Sequence, residues 1–214
     1  MEGPYLRELD NKRAGLQFAN QRIESEYQSY AARRHSAALR IQLLLGGLMI
    51  CANCLLDFLL LDTLFARTAI MLRLGVMLPP IILMYALTWV PNGQRYLQSV
   101  GVVVGLAIGL TSLAIGAVAE GYGAPQVFAS YQIVTVFVYF FLGLRVPLAI
   151  ATSLILFFTF VFVAAYNDAP LVTTAYNGLY LAFLNIIGAL GCYQLSKARR
   201  TVFLEERVLS YQAN

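Results

Sequence analysis

Between residues 41 and 196 the chain carries only eight charged side chains in 156 positions. The other eighteen of its 26 charges lie in the flanks, 12 in residues 1–40 and six in residues 197–214. A soluble domain is about a quarter charged and spreads those charges over its surface. A stretch this poor in charge cannot do so, which excludes the soluble enzyme folds for most of the chain. Lipid offers no partner for an open N–H or C=O, so the spanning backbone must be helical. The expected fold class is all-α, a polytopic membrane protein.

Six apolar runs of bilayer length fall near 40–61, 69–90, 97–119, 127–144, 147–166 and 174–195. They predict a six-transmembrane-helix bundle at 39–195. A cytoplasmic amphipathic helix at 1–38 precedes it and a connector helix at 196–214 follows it. Pro79 and Pro80 should kink the second span, and Pro91 should end it. With both termini inside, Arg33, Arg34, Arg40, Arg95, Arg145, Lys197, Arg199 and Arg200 are cytoplasmic, against Arg67 and Arg73 outside. The positive-inside bias therefore puts both termini in the cytoplasm. Nearly forty mostly polar residues precede the first run, so no cleavable signal peptide is expected.

The net charge of +4 arises in the flanks. No basic patch with interleaved aromatics accompanies it, so nucleic acid is not an expected partner. Cys51 and Cys54 form a C-x-x-C inside an apolar run, and the chain has one His. Buried thiols are the expected reading, with no metal and no cofactor. No phosphate loop, H-E-x-x-H or Ser/His/Asp set occurs, so no catalytic residue is assigned.

Both flanks carry a seven-residue recurrence. Residues 5–34 read as one helix with Leu9, Leu16, Ile23 and Tyr30 in one row, and Leu6, Arg13, Asn20 and Tyr27 in the other. That spacing fits a parallel coiled-coil dimer. An amphipathic helix lying on the membrane or on its own bundle fits equally. Past the sixth span, Leu195, Val202 and Leu209 continue a stripe that Phe203 and Leu204 widen, with neither Gly nor Pro between. The expectation is one continuous helix that transmits a signal out of the membrane. The stripe is still running where the sequence stops at Asn214, as in a connector to a further domain.

Within the spans, Gly101, Gly105 and Gly109 leave one helix face bare, which permits close packing, expected within the chain. Asn53, Asp57 and Arg73 share a depth with Gln132, Tyr176 and Asn177. Asp57 and Arg73 sit at matching heights on adjacent antiparallel helices and should pair, because a lone charge in a span is costly. These six residues are the candidate lining of an outward-facing pocket for a small polar, amphipathic or lipid ligand. A structural ion pair within an interfacial aromatic belt explains them as well.

Three segments carry a family resemblance. They are Leu16-Gln17-Phe18 to Glu24-x-x-Tyr27 with Arg40 and Leu56-Asp57; Arg73-Leu74-Gly75-Val76-Met77-Leu78-Pro79; and Ala198-Arg199-Arg200-x-x-Phe203-Leu204-Glu205-Glu206-Arg207-x-Leu209. Together they resemble the six-helix membrane region of bacterial class III adenylyl cyclases, a membrane-associated sensor (MASE-type) module. Related modules precede diguanylate cyclase domains. The resemblance implies a bacterial inner-membrane location, a homodimer, and signal transduction to a catalytic domain that makes cyclic AMP or cyclic di-GMP. That domain would follow the last helix, so none of its metal-binding or substrate-binding residues falls in this chain. A small carrier or channel lined by Asp57 and Arg73, or a ligand-free membrane scaffold, are the other readings.

Overall fold

A computed structural model describes residues 18, 20–60, 63–90, 93–121, 127–167 and 169–212. Leu6, Leu9, Arg13 and Leu16 of the N-terminal recurrence, the loop acids Asp62 and Asp168, and Pro91 lie outside the described residues. Every described element is helical: α1 (Gln21–Leu60), α2 (Thr63–Leu72), a π-helical segment (Arg73–Met77), α3 (Leu78–Leu87), a 3₁₀ turn (Gly93–Tyr96), α4 (Leu97–Gly121), α5 (Val127–Phe140), α6 (Val146–Tyr166) and α7 (Leu171–Gln212).

Five stretches among the described residues are long and apolar enough to cross a membrane: Ser36–Leu59, Leu64–Leu87, Leu97–Val118, Val146–Tyr166 and Leu171–Ser210. The fourth expected span is the exception. Its helix, α5, has 14 residues, and at 1.5 Å per residue it reaches about 21 Å, short of a ~30 Å hydrocarbon core. Leu48, Phe58, Phe158, Phe162 and Ile187 are exposed, as expected of side chains that face lipid.

Of the five membrane-length stretches, the one in α4 is the most enclosed by its neighbours. It packs against span two (α2 to α3), α5 and α6, while α7 packs on α5 and α6, and α1 lies on span two. The bare glycine face makes these approaches possible. A methyl group on Gly101 would lie 2.8 Å from Leu144 Cδ2, and one on Gly105 3.1 Å from Thr152 Cγ2. On Gly109 it would collide with Leu156. The glycine stripe thus packs inside the chain, against the α5–α6 unit. Gly143 turns α5 into α6 with φ of 62°, a left-handed conformation that costs glycine little. Gln98 clamps that turn, donating to Gly143 O at 3.1 Å and accepting the Arg145 N–H at 2.9 Å.

Tandem prolines explain the π segment. Pro79 and Pro80 have no N–H, so the carbonyls of Gly75 and Val76 lose their α-helical donors. The helix widens instead, and the Leu78 N–H donates five residues back to Arg73 O. A π segment stands where the sequence predicted a kink. Arg40 of α1 then secures the far end of α3, donating to Thr88 O at 2.8 Å and Thr88 Oγ1 at 3.0 Å, with its guanidinium over the Trp89 ring.

The N-terminal flank departs from the single helix expected over 5–34, because the chain is not helical at Phe18 and Asn20. The Asn20 side chain accepts the Arg22 N–H at 3.0 Å, offering the backbone a turn in place of helix and starting α1 at Gln21. From there α1 runs 40 residues without a break across position 38. Likewise α7 runs 42 residues across position 195. The start of α1 and the end of α7 meet at one end of the bundle, burying Phe18, Ile23, Tyr27, Phe203 and Leu204 together.

Candidate functional site

Gly46, Ile50, Asn53 and Asp57 recur at three- and four-residue steps along α1, on one face of that helix. The face looks across to Arg73, the first residue of the π segment. Arg73 Nε donates to Asp57 Oδ2 at 2.8 Å, with both side chains 11% exposed. An unpaired charge here would cost ~2.5–3.5 kcal/mol on insertion scales. The geometry at Asp57 and Arg73 is therefore that of an ion pair inside a span.

Beside the pair lies a cavity of about 100 Å³ between α1, the π segment, α4 and α5. Its polar lining is Arg73, Asn53 and Ser112; Met49, Ile50, Met77, Ile108, Ile133, Val134 and Phe137 make the rest apolar. Asn53 Nδ2 is engaged, donating to Met49 O at 2.8 Å. Gly46 lets Phe137 close one end, since a methyl group there would be 3.2 Å from Phe137 Cζ. Arg73 makes no hydrogen bond through Nη1 or Nη2 with the described residues, so most of its donors remain for whatever enters.

Of the six pocket residues read from sequence, Asn53 and Arg73 line the cavity, and Asp57 joins them only as the ion-pair partner of Arg73. Gln132, a neighbour of Ile133 and Val134, is not part of the cavity lining. Tyr176 and Asn177 lie on α7, which packs on α5 and α6, and neither lines the cavity. Shared depth in the membrane does not mean shared location. Ser112, three residues beyond Gly109 on α4, is a lining residue that the sequence reading did not single out as such.

At the opposite end of α1, the chain makes a second charged site. Arg200 Nη1 donates to Glu24 Oε2 at 2.6 Å and Nη2 to Glu24 Oε1 at 3.1 Å, a bidentate pair. The guanidinium also lies 4.4 Å from the Tyr27 ring centroid and 4.8 Å from that of Phe18, within cation–π range. Partial burial pushes the Glu24 carboxyl up, but hydrogen bonds from Arg200, the Phe18 N–H and Gln28 outweigh it and hold its pKa at about 2. Six residues further along α7, Glu206 accepts from Arg34 at 2.5 Å and from the Tyr30 hydroxyl at 2.7 Å. The sequence named Leu195, Val202 and Leu209 for this helix, and all three are exposed. The contacts to α1 run through Arg200, Phe203 and Leu204 instead. Charges and aromatics in both flanks, on one predicted side of the membrane, were the signal that could have found them.

Between these sites α7 is held by polar side chains. Asn185 Oδ1 accepts from the Tyr139 hydroxyl of α5 at 3.1 Å and from Ser153 Oγ of α6 at 2.5 Å, and Nδ2 donates to Leu181 O at 2.9 Å. Gly188 and Gly191 admit the Tyr139 and Phe140 rings against the helix. No group of three or more His, Cys, Asp or Glu side chains among the described residues could hold a metal ion. The chain matches no protein-family model, and no curated protein is similar enough to it to count as a match.

Proposed function

We propose that this chain is the membrane-embedded sensory and regulatory region of a nucleotidyl cyclase, most closely resembling that of class III adenylyl cyclases, in a bacterial inner membrane. The observation that carries the reading is α7. Its 42 residues form one helix, about 63 Å long at 1.5 Å per residue and about twice a hydrocarbon core. A rod of that length can couple a change within the bilayer to a domain outside it. The α1–α7 docking favours six crossings with cytoplasmic termini. Flanks that meet on one side of a membrane fit an even number of crossings, which supports counting α5 as the sixth. The Lys and Arg distribution gives that side as the cytoplasm. The exposed stripe Leu195, Val202 and Leu209 suits a homodimer along α7.

The test is a fusion of this chain to a class III adenylyl cyclase catalytic domain, expressed in cells without their own cyclase. Ser196→Pro removes a backbone hydrogen bond and kinks the connector at ~3 kcal/mol or more. Cyclic AMP output is expected to become independent of the membrane region, while the protein still inserts. Output unchanged from the unmodified fusion would reduce the chain to an anchor.

A further inference from the structure

We infer that the Arg73 cavity binds, from the lipid side, an uncharged amphiphile whose head is an ester or similar carbonyl acceptor. The assignment deepens the sensory reading and rests on it for its role, though not for its geometry. Three observations fix the ligand class. Met49 and Ile133 line the cavity yet are both 49% exposed, and they belong to the apolar surfaces of α1 and α5. The mouth therefore opens sideways between those helices, toward hydrocarbon, and admits a molecule with an apolar chain. Next, arginine only donates hydrogen bonds. Arg73 meets Asp57 through Nε, and its Nη groups make no hydrogen bond to the described residues, so the head must accept. Last, Asp57 already neutralises Arg73. An anionic head would leave one uncompensated negative charge in a low-dielectric site, whereas a carbonyl leaves the balance at zero.

The cavity volume of about 100 Å³ accommodates the head and the first carbons of a chain, while the rest of the tail lies in the lipid between α1 and α5. Ester carbonyls occur both in free acyl esters and in bilayer glycerolipids, and the test separates these sources.

The probe is methyl dodecanoate carrying a mid-chain diazirine, added to the protein in nanodiscs of ether-linked lipid that contain no ester. Irradiation is expected to label α1 or α5 near Met49 or Ile133. Excess methyl dodecanoate should displace the label; dodecane should not. Loss of a hydrogen bond to a charged donor should cut labelling about tenfold in Asp57→Asn/Arg73→Gln. Ile133→Trp fills the mouth without touching the ion pair and should abolish labelling even if the double variant folds poorly. Weaker labelling in ester-linked bilayers identifies bulk lipid as the natural occupant, and unchanged labelling identifies a separate molecule; both agree with the assignment. Equal displacement by dodecane, stronger displacement by dodecanoate, or no label at the mouth would overturn it. Cyclic AMP output of the fused cyclase is read separately. Labelling without any change in output on adding methyl dodecanoate leaves the ligand assignment standing and removes the sensory role.

Discussion

Asp57 and Arg73 are the clearest case in which one residue's behaviour depends on another's. Removing only the acid strands the guanidinium, and breaking a buried pair this way costs about 3–5 kcal/mol. Asp57→Ala should therefore lower thermal stability in detergent markedly, and Asp57→Asn with Arg73→Gln should recover most of the loss. Equal damage from the single and double changes would show that the pair is not what the site needs. Glu24 makes a different prediction, read in pH. Its carboxyl is held at about 2 against an ordinary 4.5, so the docking it supports is present in full above pH 4.5. It weakens as pH falls from there through about 2. Protection of the α1 segment 21–31 from hydrogen exchange, taken relative to the intrinsic rate at each pH, should fall over that window in the unmodified protein and be already low in Glu24→Gln. Asp57 and Arg73 were legible in the sequence because isolated charges in apolar runs are conspicuous. Glu24 and Arg200 were not, because each sits among many flank charges and only the fold selects the pair.

At the level of elements, periodicity located the long helices and the α4 glycine stripe, since both are local patterns. It could not reveal where α1 starts, which depends on the Asn20 side chain. Nor could it separate α5 from its loops, because the apolar run continues through residue 144 while Gly143 turns the backbone. The π segment was visible only as tandem proline. Glycines on one bundle should differ in tolerance according to what faces them. Gly109→Val drives a side chain into Leu156 and should cost about 1–3 kcal/mol of overpacking. Gly75, with nothing within 4 Å of its added methyl, should accept Ala with a gain of up to about 1 kcal/mol from propensity. Thermal unfolding of the two variants side by side checks both signs.

Across the whole molecule, α7 offers two faces near its end. One holds Phe203 and Leu204 against α1; the other exposes Val202 and Leu209. In a background without native cysteines, Val202→Cys and Leu209→Cys should crosslink between copies in native membranes, and Phe203→Cys should not. Crosslinking from Phe203→Cys instead would mean that α7 exchanges its α1 contact for a second copy. The sequence proposed dimer seams in both flanks. Within the chain, Ile23, Tyr27 and Tyr30 of the N-terminal seam pack with Phe203 and Leu204, which leaves the C-terminal stripe as the exposed one. The docking of Glu24 on Arg200 also makes distant parts of the polypeptide into permanent neighbours. Any segment leading into Phe18 would start beside Phe203, and any domain joined beyond Gln212 would start nine residues further along the same helix, about 14 Å away. Short tethers from origins this close raise the mutual effective concentration of what they carry into the millimolar range. A contact between the two too weak to form in free solution could therefore be well populated here, and loosening a single arginine would dilute it.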